Sequence, residues 1–299
     1  MAGGKGASLA RMAAAGLPVP RGFVVCTSAF QSFLETHGGT RLVLELTGDL
    51  DVHDSAALDG VANRLKALIT GSPLPQDLRE ALAQAYDDLG RQPAVAVRSS
   101  AVSEDGDAAS FAGQQDTFLN VRGEEAVARQ VQACWASFFG SRAMFYRAKK
   151  GALSDTRMAV VVQEMVRADK SGVLFTIDPI RKRRDRMVIE AVFGLGEGIV
   201  SGEITPDHYV LERETGAVVE EFISVQPVAV TYDAQLDGTR HVELSEAQGA
   251  ERVLDGDQLE RVRSMGLRVE AFFGAPQDIE WSFRDDELLL LQSRPVTTL

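Results

Sequence analysis

Hydrophobic residues change their spacing near the middle of the chain. In the first half they recur every three or four residues, as in amphipathic helices, with short apolar strands between them. Later they form short runs with alternating polar positions, which is typical of strands. The predicted helices lie at 8–13, after a cap at Thr27 or Ser28, twice within 51–90, at 124–149 and at 258–273. The predicted strands lie at 23–26, 94–98, 116–121, 158–165, 171–176, 187–192 and 207–212, followed by a strand pair at the end of the chain.

This change of pattern predicts an α+β fold with two lobes, residues 1–153 and 154–299. With 299 residues, 45% of them hydrophobic and 25% charged, the composition is that of a soluble globular protein with a large core. No apolar run approaches the roughly 20 residues of a membrane span. The first residues lack the apolar core of a signal peptide, so we expect a cytoplasmic location.

The net charge and the positions of cysteine and histidine argue against a nucleic-acid-binding, membrane-surface or zinc-binding protein. A net charge of −12 is unsuited to nucleic acid or an anionic membrane. The two cysteines, Cys26 and Cys134, and the four histidines are scattered without the spacing of a zinc site. The basic run 181–184 predicts a solvated loop between two strands, with docking of another domain as the alternative.

The last strand pair carries polar residues at alternate positions. Asp278 and Glu280 share one face of the first strand, and Gln292 and Arg294 share one face of the second. An odd-numbered loop through 285–287 would place Glu280 opposite Gln292 and Asp278 opposite Arg294. A two-residue loop would shift the pairing by one and separate these faces.

A carboxylate beside an amide and an arginine suits a magnesium-bound polyphosphate. The acid supplies oxygen to the metal, and the guanidinium of Arg294 binds phosphate with two N–H groups. A cross-strand salt bridge on a solvated face is the alternative interpretation of the same residues.

Two further segments carry basic residues in positions that suit an anion. The glycine-rich turn 3–8 opens a helix and contains Lys5, and helix-start amides with a lysine bind phosphate oxygens. Arg98 closes the predicted strand 94–98 and precedes two serines. A simple helix entry and a structural salt bridge are the respective alternatives.

Two loops carry weaker signals. In the loop before the strand 116–121, Gly113 permits a close approach of the backbone to a ligand and Thr117 offers a hydroxyl. At the end of the strand 158–165, the backbone around Gln163, Glu164 and Met165 can read an adenine edge while the methionine packs on the ring. Either segment alone could be an ordinary turn. The glycine-rich run 194–198 lacks the following acid of a dinucleotide site, so a Rossmann interpretation is rejected.

Taken in order, these motifs resemble one family. They are Gly-Gly-Lys-Gly-Ala-Ser-Leu (3–9), Gly-Leu-Pro-Val-Pro-Arg-Gly-Phe (16–23), Val-Arg-Ser-Ser-Ala (97–101), Phe-Ala-Gly-Gln-Gln-Asp-Thr (111–117), Gly-Leu-Gly-Glu (194–197), Asp-Ile-Glu-Trp (278–281) and Gln-Ser-Arg-Pro-Val (292–296). The chain resembles the nucleotide-binding domain of the phosphoenolpyruvate synthase, pyruvate phosphate dikinase and rifampicin phosphotransferase family over nearly its whole length. The resemblance implies an ATP-grasp-like fold with ATP held between two lobes.

The resemblance also implies roles for individual residues. It implies that Lys5, Arg98 and Arg294 bind phosphate and that Gly113 and Thr117 lie along the phosphate loop. It also implies that Gln163 contacts the adenosine end and that Glu280 and Gln292 hold magnesium and phosphate. We add Glu164 and Met165 at the adenine side, and Asp278 on the strand that carries Glu280.

Family members pass phosphate from ATP to a histidine on a swivelling domain and then to a small acceptor. None of the four histidines here has the sequence context of that phosphohistidine, and we interpret His208 as structural. We therefore expect the phosphohistidine and acceptor-substrate domains elsewhere, in the same full-length protein or in a separate chain. The acceptor, pyruvate or an antibiotic such as rifampicin, stays open. A self-contained ATP-grasp kinase and a non-catalytic nucleotide-sensing module are the alternative functions.

Overall fold

The computed structural model describes residues 1–101, 117–233 and 238–297 and contains helices and antiparallel sheets. The helices are α1 (Gly3–Ala14), α2 (Thr27–Thr36), α3 (Gly39–Thr47), α4 (Ser55–Gly71), α5 (Gln76–Asp87), α6 (Glu124–Ser137), α7 (Ser141–Lys149), α8 (Glu197–Val200), α9 (Glu246–Gly249) and α10 (Gly256–Phe273). The strands are β1 (Gly22–Val25), β2 (Val95–Ala101), β3 (Thr117–Val121), β4 (Met158–Glu164), β5 (Lys170–Phe175), β6 (Arg186–Phe193), β7 (Asp207–Glu212), β8 (Val218–Phe222), β9 (Val228–Asp233), β10 (Gly238–Glu243), β11 (Gln277–Arg284) and β12 (Glu287–Pro295). The predicted α+β class is confirmed.

Contacts between residues divide the chain into two compact units. Unit 1 comprises Met1–Ala7 and Arg21–Met165, and unit 2 comprises Ser8–Pro20 and Val166–Leu299. Strand β4 belongs to unit 1 because it pairs with both β1 and β2. The predicted lobe boundary between residues 153 and 154 stays a prediction. None of the helices within the described ranges combines the length and the hydropathy that a membrane-spanning helix requires.

Unit 1 is built on a four-stranded antiparallel sheet in the order β1-β4-β2-β3. One face of this sheet joins the apolar sides of α2, α4 and α6 in a single hydrophobic core. The aromatic centre of that core is the stack of Phe30 on Trp135, whose ring centroids lie 5.0 Å apart. Since side chains alternate along a strand, the remaining positions of β2 and β4 face away from this core.

Three local predictions in unit 1 were wrong. Strand β2 does not end at Arg98, because Ser99, Ser100 and Ala101 continue the ladder with β4 and are buried. The predicted helix 124–149 is two helices, α6 and α7, with Gly140 between them in an extended conformation. Helix α2 begins at Thr27, and Cys26 in the capping position makes no side-chain cap.

Unit 2 is built on a six-stranded antiparallel sheet in the order β12-β11-β5-β6-β7-β8. Helix α10 packs on one face, where Gly266 approaches Leu174 and Met187 closely. That face also carries Trp281, which is 1% exposed. The opposite face carries the polar residues of the predicted strand pair. Strands β9 and β10 form a separate hairpin.

The last two strands pair Glu280 with Gln292 and Asp278 with Arg294, but the odd-numbered loop on which that pairing was predicted to depend is absent from the hairpin. The loop has two residues, Asp285 and Asp286, whose φ angles of 48° and 63° fit a type I′ turn. Such a loop alone would separate the polar faces. A β-bulge restores them, because Leu291 adds one residue to β12 between the partner of Trp281 and the partner of Glu280.

The basic run 181–184 lies between β5 and β6, as predicted. Arg181 donates to Glu220 at 3.0 Å, and Arg183 donates to Asp185 at 2.8 Å. Both arginine side chains are about half exposed, so these ion pairs contribute little to stability.

Gly172 is predicted to be required for the stability of unit 2. A Cβ atom at this position would overlap the Glu190 carbonyl and the Trp281 ring. We expect Gly172→Ala to lower the free energy of unfolding by about 3 kcal/mol. The measurement is urea unfolding followed by Trp281 fluorescence in a Trp135→Phe background, which leaves one tryptophan in the chain.

The matched control is Gly256→Ala, since an added Cβ there meets no atom within 4 Å. It should leave the unfolding midpoint unchanged or raise it slightly. Equal midpoints for the two variants would contradict the packing argument.

Candidate functional site

The face of the unit 1 sheet that points away from the core carries three of the predicted site residues. Arg98 on β2 lies directly opposite Thr117 on β3, and Gln163 on β4 lies opposite Ala96 of β2. Residues opposite one another in an antiparallel pair share a face, so the structure brings these side chains to one surface. Arg98 is partly buried and Thr117 is exposed.

The turn that contains Lys5 is bonded to the same strand. Lys5 Nζ donates to the carbonyl of Ser99 at 3.2 Å, and the Gly6 amide donates to Ser100 Oγ at 3.1 Å. Ser100 Oγ in turn donates to the Ala2 carbonyl at 3.0 Å. Gly3 has a φ of +67°, and a side chain there would overlap Ser100. The glycine-rich turn therefore places Lys5 beside the strand that carries Arg98.

The end of β4 is only partly what the sequence predicts. Gln163 is 5% exposed, so its side-chain amide is largely enclosed. The Glu164 amide donates to the Arg21 carbonyl at 2.8 Å, and the Met165 amide donates to the Ala94 carbonyl at 2.9 Å. Both N–H groups are therefore engaged within unit 1, which leaves carbonyls rather than amides to contact a base at this position.

The remaining residue predicted for unit 1, Gly113, lies outside the described residues.

In unit 2 the structure pairs the four polar residues of the last hairpin. Gln292 Nε2 donates to Glu280 Oε1 at 3.0 Å, and Arg294 Nε donates to Asp278 Oδ2 at 2.8 Å. Asp278 is 9% exposed and Gln292 is 4% exposed, whereas the Arg294 side chain is 44% exposed. The hairpin is therefore more than a salt bridge on a solvated face, because one partner of each pair is buried.

The environment of Asp278 disfavours its charged form. Burial raises the pKa of the Asp278 carboxyl above its ordinary value, although the ion pair with Arg294 acts in the opposite direction. The nearby carboxylates of Glu280 and Glu190 raise the pKa further. Burial is thus the main reason why the Asp278 carboxyl is harder to ionise here than in water.

The sheet register adds two residues that the sequence analysis did not place in the site. One row of laterally paired residues crosses all six strands on the polar face, and its members are Gln292, Glu280, Val173, Glu190, His208 and Phe222. His208 Nδ1 lies 3.6 Å from Glu190 Oε1, and both side chains are about one third exposed. The signal available in the sequence was a single acid, Glu190, inside an otherwise apolar strand.

The donor groups of the hairpin fit magnesium that arrives with a phosphate ligand. Among the described residues, no group of three or more His, Cys, Asp or Glu side chains is placed to hold a metal ion. Magnesium is commonly held by one or two protein oxygens together with substrate phosphates and water. The carboxylate of Glu280 and the amide oxygen of Gln292 are ligands of that kind.

The whole chain matches one family model. Residues 1–299 match the model described as "Pyruvate phosphate dikinase, AMP/ATP-binding domain". A "Probable phosphoenolpyruvate synthase" of Methanocaldococcus jannaschii is 41% identical over 305 residues, covering 100% of this chain and 26% of the relative. A "Rifampicin phosphotransferase" of a Streptomyces species is 43% identical over 299 residues, covering 99% of this chain and 34% of the relative. The chain thus spans about a quarter to a third of these relatives.

The solved structures that match include an "ATP-grasp ligase PsnB complexed with minimal precursor". It is 12% identical, with a TM-score of 0.30, and the match covers 98% of this chain and 51% of that one. A TM-score this low does not establish a shared fold, so only the sequence motifs support the resemblance to ATP-grasp proteins.

Ser100 is predicted to hold the glycine-rich turn in place. Ser100→Ala removes the acceptor of the Gly6 amide and the donor to the Ala2 carbonyl, at a cost of about 1–3 kcal/mol. We expect faster hydrogen–deuterium exchange at the Gly6 amide. Ser282→Ala is the control, because the buried Ser282 hydroxyl has no hydrogen-bond partner among the described residues. Unchanged exchange at Gly6 in Ser100→Ala would show that other contacts hold the turn.

Proposed function

This chain belongs to the pyruvate phosphate dikinase AMP/ATP-binding domain family, and we propose that it binds ATP with magnesium for phosphoryl transfer to a histidine on a separate swivelling domain. That domain would pass the group to a small acceptor. Pyruvate and an antibiotic such as rifampicin are both open as acceptors, because the acceptor site belongs to another part of the enzyme. We also propose that the enzyme acts in the cytoplasm.

The observation that carries this proposal is the pairing in the last hairpin. Glu280 beside Gln292 offers two oxygen ligands for magnesium, and Arg294 beside them offers a guanidinium for phosphate. The contact with Asp278 uses the Nε–H of Arg294. Asp278 would therefore orient Arg294 while the hairpin holds the phosphate tail.

Unit 1 would supply the remaining phosphate contacts and the adenosine contact. Lys5 beside β2 and Arg98 opposite Thr117 are the cations and the hydroxyl that suit phosphate oxygens. The buried amide of Gln163 suits the adenosine end, together with the backbone carbonyls of Glu164 and Met165. We keep Gly113 in the proposed phosphate loop on the sequence motif alone.

Catalysis would rest on binding and charge neutralisation. Phosphoryl transfer requires in-line alignment of the reacting groups and stabilisation of charge on the transferred oxygens. Lys5, Arg98 and Arg294 would hold these oxygens, and Glu280 with Gln292 would fix the cation. When bound, magnesium neutralises phosphate charge. The attacking group would be the histidine of the swivelling domain.

Glu280 is predicted to make ATP binding depend on magnesium. In Glu280→Gln the side chain keeps its shape but loses the charge that attracts the cation, so we expect ATP affinity with magnesium to fall about 10- to 100-fold. Isothermal titration calorimetry of this chain with ATP, with and without magnesium, measures the effect. Glu287→Gln, an exposed residue of the same hairpin paired with Arg284, is the control. Magnesium-independent binding by the unaltered chain would refute the proposed role.

Arg98 is predicted to distinguish triphosphate from nucleoside. Arg98→Ala should weaken ATP binding about 10-fold or more and leave adenosine binding nearly unchanged, because the lost contact is to phosphate. Competition calorimetry with both ligands measures the two affinities. Arg91→Ala, which removes an exposed arginine just before β2, is the matched control. Equal losses for ATP and adenosine would identify Arg98 as structural.

A further inference from the structure

The end of strand β4 is held by bonds to two other segments of unit 1. Glu164 is the last residue of β4, and Met165 is the last residue of unit 1 before the chain passes into unit 2. The Glu164 amide donates to the Arg21 carbonyl at 2.8 Å, and the Met165 amide donates to the Ala94 carbonyl at 2.9 Å. The positions of Arg21 and Ala94 therefore set where the backbone of this strand end lies.

The side chain of Arg21 is bonded to the end of helix α5. Arg21 Nη1 donates to the Leu89 carbonyl at 2.8 Å, and Arg21 Nη2 donates to the Asp88 carbonyl. Both carbonyls follow Asp87, the last residue of the helix, where backbone carbonyls lack helical partners and the helix dipole favours a positive charge. A guanidinium can bond two neighbouring acceptors because its donors form a rigid fork. Arg21 thus connects α5 through its side chain to β4 through its own carbonyl.

The bond to Met165 leads back to the same helix. Tyr86 of α5 is fully buried, and its hydroxyl donates to the Pro93 carbonyl at 2.7 Å. Pro93 precedes Ala94, whose carbonyl accepts from the Met165 amide. This side of the strand end is therefore anchored by a core residue, whereas the other side depends on Arg21, which is exposed. Arg21 is the anchor that a substitution can remove without opening the core.

Gly22 lets the Arg21 carbonyl reach β4. Gly22 lies opposite Gln163, and a Cβ atom at Gly22 would lie 2.5 Å from the Val162 carbonyl oxygen. The lack of a side chain allows β1 to begin directly against β4. Arg21 and Gly22 belong to the motif at 16–23, to which the proposed phosphate contacts assign no role. Their contacts give this motif a place at the adenine side.

We propose that Arg21 is a positioning residue for adenine recognition, one that fixes the end of β4 so that the carbonyls of Glu164 and Met165 can accept hydrogen bonds from the base. This inference rests on the proposed function. Carbonyls accept from the amino group of adenine, whereas guanine presents a carbonyl oxygen at the corresponding position. The ligand class is a nucleotide whose base carries that amino donor. Arg21 acts through the backbone of β4 and is not a catalytic residue.

A purely structural role for Arg21 makes a different prediction. A bond that only stabilises the fold affects every ligand alike, whereas a bond that positions the end of β4 affects the base. The phosphate-binding residues proposed for unit 1 are positioned by β2, where Lys5 bonds the Ser99 carbonyl and Arg98 lies opposite Thr117. A change confined to the end of β4 should therefore weaken binding of the base and leave binding of phosphate intact.

The test is isothermal titration calorimetry of this chain with adenosine, ATP and tripolyphosphate in the presence of magnesium. Arg21→Ala should weaken the binding of adenosine and of ATP about 10-fold and leave tripolyphosphate binding unchanged, because hydrogen bonds to the base weaken steeply when misaligned. The preference of the unaltered chain for ATP over GTP should shrink in the same variant. Arg79→Ala is the matched control, since Arg79 is an exposed arginine of α5 whose ion pair is with Glu125. It should leave all these affinities unchanged.

Arg21→Lys keeps the positive charge and decides the case if Arg21→Ala does not fold. It offers the two carbonyls a single ammonium in place of a fork, so we expect a smaller loss of adenosine affinity, about 3-fold, with tripolyphosphate binding again unchanged. Unchanged adenosine affinity in the folded variant would overturn the proposal, and so would equal losses for adenosine and tripolyphosphate. An unaltered chain that binds GTP as tightly as ATP would overturn it too. Failure of the unaltered chain to bind ATP at all would instead refute the proposed function.

Discussion

The register of the β11–β12 hairpin is the constraint on which the candidate site depends. Its two-residue turn would by itself place Gln292 opposite Ile279, on the side of the sheet that packs against α10. The bulge at Leu291 moves the later part of β12 by one residue, so that Gln292 faces Glu280. A one-residue shift exchanges the two faces of a strand, which makes this single extra residue decisive. The same shift brings Arg294 to Asp278.

The two faces of the six-stranded sheet of unit 2 carry different kinds of residue. One face buries Trp281 and Phe283 in the core of unit 2, where hydrophobic burial stabilises the fold. The other face keeps carboxylates together, and Asp278 is held against the cost of burying its charge. The protein can retain a buried carboxylate on this face as long as the free energy gained by burying the apolar core exceeds the cost of burying the charge.

In unit 1 the candidate site depends on a backbone contact rather than on charge. Gly3 has no side chain, so the start of α1 can lie directly against Ser100. The Gly6 amide and the Ala2 carbonyl both bond the Ser100 hydroxyl, which aligns the turn with β2. Lys5 and Arg98 are thereby brought to the same strand by neutral hydrogen bonds. This explains why glycines and a serine accompany the basic residues in the motifs.

The sequence by itself determined the class of fold, most of the elements and the alternation that puts Asp278 with Glu280, and Gln292 with Arg294, on one face of each strand. These features depend on alternation and helical spacing, which are local patterns. Only the tertiary structure decided the bulge at Leu291, the extension of β2 beyond Arg98 and the place of Glu190. Each of these depends on which distant strand lies alongside, as when β5 brings Glu190 into the row of Glu280. Local periodicity carries no information about that choice, because non-local pairing is set by the packing of the whole sheet.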